Sequence, residues 1–305
     1  MKIIFMGTPA FAVPSLQALF AKHEVLAVCT QPDRPAGRGH KMQISPVKAA
    51  ALEYGVPIFQ PETLHISNVE IRGELSSLGA ALFVVVAYGL LLPKGVLAMP
   101  THGCINVHAS LLPKYRGASP IHSALLNGDT QTGITIMQMD KGLDTGDIIL
   151  QRTLDISPAE RFSALHDRMA ALGAQALLEA VASIENGTAV RTKQDDTLSS
   201  HAPMLKKSDG QINWSDTSAK IINMTRAFDP APGCSTMYNG EVLKVWKCEA
   251  LPEDFLAGQE AGAMGTDPRG IAVKTGDGAV VLTEVQALGK RRMSAVEFLR
   301  GQRGS

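Results

Sequence analysis

Cysteine is scarce in this sequence. The 305 residues contain four cysteines, Cys29, Cys104, Cys234 and Cys248, and none of them stand in Cys-x-x-Cys spacing. Zinc sites and disulfide frameworks in small domains depend on such closely spaced cysteines. We therefore expect four reduced, mostly buried thiols and no metal site.

Long apolar runs are also missing. The only extended one, residues 80–92, is too short to cross a bilayer and predicts a buried strand. The first residues have neither the apolar stretch and cleavage site of a secretory signal nor the Arg- and Ser-rich pattern of a transit peptide. We expect a cytoplasmic protein that does not enter a membrane.

Neither sign of charge is in excess. The chain has 29 basic and 29 acidic residues, for a formal net charge of zero. The molecule as a whole therefore does not attract nucleic acid electrostatically. Any contact with RNA has to come from local basic patches.

The glycine-rich fingerprint of nicotinamide dinucleotide sites is absent. Residues 2–6 form a short apolar run, followed by Gly7-Thr8-Pro9 and an amphipathic stretch over residues 11–22, which together predict a strand and a helix. Gly7 before a helix could cradle a phosphate, but without G-x-G-x-x-G a dinucleotide site is not expected.

The length of the chain and the change in its residue pattern after residue 188 predict two domains. Alternating strand and helix patterns up to residue 188 predict an α/β domain whose mostly parallel sheet has residues 81–87 as a central strand. Residues 189–208 are polar and without periodicity, which predicts a linker. Residues 209–305 carry short β-prone runs with hairpin signals at Asn239-Gly240 and Gly276-Asp277-Gly278, which predict a small OB-like β-barrel domain.

The stretch from Gly103 to Pro120 holds the first candidate site. A strand should end near His108, and Asn106 should project to the same side because side chains alternate along a strand. Ligands of open α/β sheets bind beyond the carboxyl ends of the strands. An amide and an imidazole can hold an oxyanion, and imidazole can carry a proton, so the pair suits acyl transfer. The alternative is a structural histidine beside a turn asparagine.

A second motif, DKGLDTGD, covers residues 140–147. By its residues alone it predicts a turn with capping carboxylates. It is not a calcium loop, because the closing bidentate glutamate is missing.

Three basic segments are candidates for contact with phosphates. The first is a long loop rich in Gly and Pro, residues 31–41, with Arg34, Arg38 and Lys41. The others are Lys206-Lys207 in the linker and the stretch Lys290-Arg291-Arg292. Ordinary solvated charge explains the first and the third of them equally well, and it is the commoner explanation for a lysine pair such as Lys206-Lys207.

Residues 110–120, SLLPKYRGASP, resemble the folate-site signature of the 10-formyltetrahydrofolate-dependent formyltransferases, and residues 140–147 resemble the second motif of that family. The opening Met-Gly-Thr-Pro-x-Phe-Ala is also similar. The resemblance implies a Rossmann-like formyltransferase domain over residues 1–188, with 10-formyltetrahydrofolate as formyl donor and no metal. It implies catalytic roles for Asn106, His108 and Asp144. The folate contacts that it implies are Ser110, Leu111, Leu112 and Pro113, with Tyr88, Gly89 and Leu90 meeting the pterin through backbone groups.

Within that family, the 31–41 loop resembles the insertion by which methionyl-tRNA formyltransferases enter the acceptor end of initiator tRNA, and Arg38 matches the arginine of its Gly-Arg-Gly core. The expected acceptor is therefore initiator methionyl-tRNA, formylated for translation initiation by a monomer. Alternatives with the same chemistry are a UDP-amino-sugar formyltransferase and a 10-formyltetrahydrofolate hydrolase. An alternative of another class is a non-catalytic nucleotide- or RNA-binding module.

Overall fold

The computed structural model describes residues 1–36, 41–65 and 68–302. These residues form two compact units. The first unit comprises residues 1–117, 132–155 and 166–201, and the second comprises residues 118–131, 156–165 and 202–305. Each unit is built around its own sheet.

The strands up to residue 155 alternate with helices, as the sequence predicts for an α/β domain. The strands are β1 Lys2–Gly7, β2 Glu24–Cys29, β3 Arg34–Ala36, β4 Lys41–Gln43, β5 Ile58–Phe59, β6 Leu82–Val86, β7 Cys104–His108, β8 Arg116–Gly117, β9 Gln131–Gln138 and β10 Ile148–Asp155. The helices are α1 Val13–Lys22, α2 Pro46–Tyr54, α3 Val69–Ser77, α4 Lys94–Leu97, α5 Pro120–Leu126 and α6 Phe162–Glu185.

Seven of these strands form one sheet in the order β10-β9-β7-β6-β1-β2-β5. Strands β5, β2, β1, β6 and β7 pair in parallel, and β9 pairs with β7 in the antiparallel direction. Strand β6 occupies the middle of the sheet and all five of its residues are buried. The prediction of a mostly parallel sheet with this strand at its centre is confirmed.

Local sequence signals fix where the helices begin and end. Helix α2 begins after Ser45, whose Oγ accepts a hydrogen bond from the Lys48 amide at 3.0 Å, and Pro46 occupies the first turn, where its missing N–H is not needed. It ends at Gly55 with φ of 66°, a left-handed conformation that glycine adopts easily.

The remaining elements lie between residue 196 and residue 302. The strands are β11 His201–Ala202, β12 Cys234–Tyr238, β13 Glu241–Ala250, β14 Met264–Asp267, β15 Gly270–Lys274, β16 Ala279–Ala287 and β17 Met293–Ser294, and the helices are α7 Ser218–Ala227 and α8 Ala295–Gln302. Strands β12 to β17 form one antiparallel sheet in the order β12-β13-β16-β15-β14, with β17 on β16. A C-terminal domain of antiparallel strands is therefore confirmed.

The described residues of the predicted 31–41 loop include two short strands. Strand β3 pairs with β4 in the antiparallel direction, Arg34 opposite Gln43. At the base of this strand pair the Lys48 ammonium donates to Asp33 at 2.6 Å and to Gln60 at 2.7 Å, and the Gln60 amide donates to Asp33 at 2.8 Å. These hydrogen bonds tie the first residues of the predicted loop to helix α2 and to the edge of the sheet.

The four cysteines are free thiols and all are buried, as expected. Across residues 1–36, 41–65 and 68–302, no helix is long and apolar enough to cross a membrane. The same residues contain no group of three or more His, Cys, Asp or Glu side chains that could hold a metal ion.

Candidate active site

Strand β7 brings Asn106 and His108 to the carboxyl end of the parallel sheet. Cys104, Ile105 and Val107 on the same strand are buried apolar residues that anchor it between β6 and β9. The strand ends at His108, as predicted. Asn106 and His108 both approach Asp144, so they point to the same side, as the alternation of side chains requires.

His108 is buried and both of its ring nitrogens face protein atoms. Nε2 lies 2.9 Å from the carbonyl oxygen of Tyr115. Because a carbonyl can only accept a hydrogen bond, the nitrogen that faces it, Nε2, carries a proton. Nδ1 then faces Oδ2 of Asp144 at 3.7 Å, which is longer than a normal hydrogen bond. The ring is thus held in one orientation with Nδ1 directed at the carboxylate.

The carboxylate of Asp144 is where the two sequence motifs meet. Its Oδ2 accepts a hydrogen bond from the backbone amide of Gly117 at 2.8 Å, and its Oδ1 lies 3.5 Å from Nδ2 of Asn106. The Asp144 side chain is only 13% exposed. The structure therefore brings the predicted triad of amide, imidazole and carboxylate together.

Two of the three carboxylates in the DKGLDTGD motif, those of Asp140 and Asp144, have different surroundings. Asp140 is a capping residue: its carboxylate accepts hydrogen bonds from the Gly142 amide at 2.8 Å and from the Thr145 hydroxyl at 2.8 Å. Asp144 instead points at β7 from a backbone with φ of 54°. The interpretation as a capping turn is correct for Asp140 and does not apply to Asp144.

Residues 139–147, which contain this motif, connect the neighbouring strands β9 and β10 and form the Asp144 hairpin. Gln194 contacts this hairpin, although Gln194 lies in the predicted linker. Its Nε2 donates to the carbonyl oxygens of Asp144 at 2.9 Å and of Gly146 at 2.7 Å. Its Oε1 accepts from the guanidinium of Arg116 at 2.8 Å and 3.0 Å. The sequence carries no signal for this contact, because Gln194 lies in a polar stretch without periodicity and is 50 residues away from Asp144.

The loop at residues 110–113 is held by two side chains of neighbouring strands. The Thr135 hydroxyl donates to the carbonyl oxygen of Ser110 at 2.7 Å and accepts from the Leu112 amide at 3.0 Å. Gln151 donates to the carbonyl oxygen of Leu112 at 2.8 Å. Ser110 and Leu112 are buried, while Leu111 and Pro113 are half-buried. Of the four predicted folate contacts, these two half-buried residues have side-chain surface left for a ligand.

The turn after β6 is held by hydrogen bonds from two side chains of other segments. The carbonyl oxygen of Tyr88 accepts from the Thr8 hydroxyl at 3.0 Å and from the Gln31 amide at 3.2 Å. The Tyr88 ring is buried in the core, and burial raises the pKa of its hydroxyl. Gly89, with φ of 81°, is exposed and Leu90 is half-buried. The two residues that follow Tyr88 are therefore accessible, as is Ala87 before it.

The basic residues predicted to contact tRNA differ in how much charge they can offer. Arg38 and the side chain of Lys41 lie outside the described residues. Exposed positions are occupied by Arg34, Lys206, Lys207, Lys290, Arg291 and Arg292. Arg291 pairs with Glu297 at 2.7 Å.

Arg292 is the most strongly neutralised of these residues. Its guanidinium pairs with Glu284 and Asp229, at closest distances of 2.5 Å and 3.0 Å, and lies 4.8 Å from the ring centroid of Trp246. The hydrogen bonds that Arg292 donates to Glu284 raise the pKa of Arg292 above its ordinary value. These two carboxylates thus offset the positive charge with which Arg292 would attract a phosphate.

Comparison with known proteins identifies the chemistry. The profile of the formyl transferase family matches residues 1–181, and that of the formyl transferase C-terminal domain matches residues 204–303. A methionyl-tRNA formyltransferase from Geobacter metallireducens is 47% identical over 304 residues, covering 99% of this chain and 96% of the relative. One from Syntrophus aciditrophicus is 48% identical over 302 residues, covering 99% and 96%.

Solved structures show the same fold at lower identity. An N-formyltransferase from Helicobacter canadensis, solved with folinic acid and dTDP-3-aminofucose, superposes with a TM-score of 0.68 at 22% identity, covering 94% of this chain and 98% of that one. With more than half of its residues matched by the family profile, the molecule is a formyl transferase. Identity near 47% over almost the entire length narrows this further, and the chain belongs to the methionyl-tRNA formyltransferase family.

Proposed function

We propose that this enzyme transfers the formyl group of 10-formyltetrahydrofolate to the free amino group of methionyl-initiator tRNA, giving N-formylmethionyl-tRNA for translation initiation. The observation that carries the proposal is the identity of 47% to a methionyl-tRNA formyltransferase over 99% of the chain. The approach of Asn106, His108 and Asp144 to one another supports it, because a formyl transferase needs these group types together.

In this reaction the neutral amine attacks the formyl carbon, a new C–N bond forms, and the carbonyl oxygen becomes negative. The bond from the formyl carbon to N10 of the folate then breaks. Asn106 is half-buried and carries an N–H donor suited to the developing oxyanion. Removing one such donor typically costs about 100- to 1000-fold in rate.

Proton transfer falls to His108 and Asp144. The amine must lose a proton as it attacks, and N10 must gain one as it leaves. Because Nδ1 of His108 faces the Asp144 carboxylate at 3.7 Å, a proton taken up by either group stays within reach of the other. General acid–base catalysis of this kind contributes roughly 100- to 10000-fold.

The folate is expected to meet Ser110, Leu111, Leu112 and Pro113 on one side and Tyr88, Gly89 and Leu90 on the other. The Tyr88 carbonyl already accepts two hydrogen bonds within the protein. We therefore expect the backbone of Gly89 and Leu90 to make the polar contacts with the pterin, while Leu111 and Pro113 offer apolar surface.

The tRNA is expected to contact Arg34, Arg38, Lys41, Lys206, Lys207, Lys290, Arg291 and Arg292. Residues 1–188 would then form the catalytic domain, residues 189–208 the linker, and residues 209–305 the tRNA-binding domain. Because Arg292 is paired with two carboxylates, we expect Lys290 and Arg291 to contribute more than Arg292. We further propose that the enzyme works in the cytoplasm as a monomer.

The test is an assay of labelled formyl transfer to charged initiator tRNA, to a UDP-amino sugar and to water, run with the wild type and with His108→Ala. We expect transfer to the tRNA alone, reduced at least about 100-fold in the variant because both proton transfer and the orientation of Asp144 suffer. The control is His65→Ala, which removes an exposed histidine.

Each alternative has its own outcome in this assay. Preferred transfer to the sugar indicates a UDP-amino-sugar formyltransferase, and release of formate to water alone indicates the hydrolase. A wild-type protein that binds nucleotide or RNA but transfers no formyl group indicates the non-catalytic module.

A further inference from the structure

Gln194 has every hydrogen-bonding position of its side-chain amide filled. Its two N–H groups donate to the carbonyl oxygens of Asp144 and Gly146, at 2.9 Å and 2.7 Å. Its oxygen accepts twice from the guanidinium of Arg116, at 2.8 Å and 3.0 Å. A residue of the predicted linker thus joins the hairpin that carries Asp144 to the segment beside Gly117.

The orientation of this amide is fixed by its partners. Arginine can only donate hydrogen bonds, so the oxygen of Gln194 must face Arg116. Backbone carbonyls can only accept, so the nitrogen must face the hairpin. Arg116 is itself anchored by Asp196, whose Oδ1 lies 2.7 Å from its Nη2. The bridge therefore has one direction and cannot be reversed without losing four hydrogen bonds.

The backbone of the hairpin at Asp144 has a conformation that hydrogen bonds from other segments, such as those of Gln194, help to hold. Asp144 has φ of 54°, in the left-handed region that residues with a β-carbon rarely adopt. Gln194 donates hydrogen bonds to the carbonyl oxygen of Asp144 itself and to that of Gly146, two residues further along the chain. These bonds hold the backbone at the residue with positive φ and just after it. Four residues before Asp144, the Asp140 carboxylate accepts hydrogen bonds from the Gly142 amide and the Thr145 hydroxyl. The backbone position of Asp144 is in this way determined from two directions.

We propose that Gln194 is a positioning residue for Asp144: by holding the hairpin carbonyls it keeps the Asp144 carboxylate between Asn106 and His108. The proposal rests on the proposed function, in which Asp144 takes part in the chemistry. Gln194 itself touches no reacting atom. Its effect is on the rate of the chemical step, and it leaves the binding of folate and of tRNA unchanged.

The principal variant is Gln194→Met, which keeps the length of the side chain and removes its hydrogen bonds. We expect kcat for formyl transfer to fall about 10- to 100-fold, because a displacement of 1 Å at a reacting group can cost about 100-fold. The KM for each substrate should change by less than about threefold, as for an interaction expressed only in the transition state. Gln259→Met, the same change at an exposed glutamine, should leave both constants as in the wild type.

A second variant, Gln194→Glu, separates the two sides of the bridge. Glutamate can still accept from Arg116, but it cannot donate to the Asp144 and Gly146 carbonyls. We expect the same fall in kcat as in Gln194→Met. Wild-type kcat in Gln194→Glu would overturn the proposal, because the donors to the hairpin would then be dispensable. This variant also serves if Gln194→Met does not fold.

A double-mutant cycle with Asp144→Asn distinguishes positioning from a general structural role. If Gln194 acts through Asp144, adding Gln194→Met to Asp144→Asn should lower kcat by less than about threefold further. Independent, multiplying effects would overturn the proposal, as would a lowered unfolding temperature in Gln194→Met with wild-type kcat for the folded enzyme. A fully active Asp144→Asn enzyme would instead show that the proposed function of Asp144 is wrong.

Discussion

Asp144 combines a functional carboxylate with a backbone conformation that costs an L-residue about 1–2 kcal/mol. Its φ of 54° is sustained by the glycines around it and by the capping carboxylate of Asp140. Gly146 has a specific reason to be glycine: a β-carbon there would lie 1.7 Å from the carbonyl oxygen of Gln138. The hairpin can therefore accommodate a strained aspartate only because the neighbouring backbone packs without a side chain.

Gly146→Ala should for this reason both destabilise the protein and reduce its activity. The β-carbon must push the hairpin away from β9, which moves Asp144 and weakens the contact of Gly146 with Gln194. We expect a loss of about 1–3 kcal/mol in the free energy of unfolding and at least about 10-fold in kcat. Urea unfolding and the formyl transfer assay measure the two effects.

The matched control is Gly73→Ala, which lies within α3 with open space around the new methyl group. Alanine favours a helix over glycine, so this variant should gain about 1 kcal/mol. A Gly146→Ala enzyme as stable and active as the wild type would mean that the hairpin is less tightly packed than its contacts indicate.

At the level of the elements, the hairpin of β12 and β13 is the clearest case in which two residues determine a structure. Tyr238 pairs with Glu241, so Asn239 and Gly240 form a two-residue turn, with φ of 49° and 81°. Positive φ at both positions defines the turn type whose twist matches the strands, and Asn-Gly is its preferred sequence. The prediction of a turn at this point was possible because the signal is local.

Gly240→Ala should destabilise the protein through conformation alone. Open space surrounds the position of the new β-carbon, so no clash contributes, and the left-handed conformation costs about 1 kcal/mol. We expect the urea midpoint to fall accordingly while kcat stays unchanged. Asn239→Gly, which keeps a residue tolerant of positive φ, should shift the midpoint less; an equal or larger shift would mean that the turn is not what limits stability here.

The other elements show what limits prediction from the sequence. The Asn106/His108 pair could be predicted because a period of two and a strand end are visible in five consecutive residues. Strands β3 and β4 have three residues each, which is too short for any periodicity to be detected. Gln194 could not be predicted because its partners lie 48 to 78 residues away, and only the folded chain brings them together.

For the molecule as a whole, the ionisable groups imply a consistent response to acid. Burial lowers the pKa of His23 from its ordinary 6.5. The hydrogen bond from Lys48 lowers the pKa of Asp33, and the backbone amide of Ser218 lowers that of Asp277. In each case the folded protein binds fewer protons than the unfolded chain does, so stability falls as the pH falls.

We therefore expect the urea midpoint to be constant between pH about 6.5 and about 8, to decline below this range as His23 titrates, and to decline again below pH about 4 as the carboxyls titrate. His23→Gln should remove the first decline and leave the second, whereas Gln259→Met, which changes no titratable group at an exposed position, should change neither. A midpoint that rises on acidification would contradict the direction of all three pKa shifts.

The bridge made by Gln194 also has a consequence for the order in which the enzyme matures on the ribosome. The seven strands of the parallel-rich sheet, the Asp144 hairpin and the 24-residue helix α6 all leave the exit tunnel before Gln194 does. A nascent chain can thus assemble this sheet before the hydrogen bonds from Gln194 to the Asp144 hairpin have formed. In the proposed role of Gln194, full kcat therefore requires the segment that follows the helix, which is synthesised after the sheet that carries Asn106 and His108.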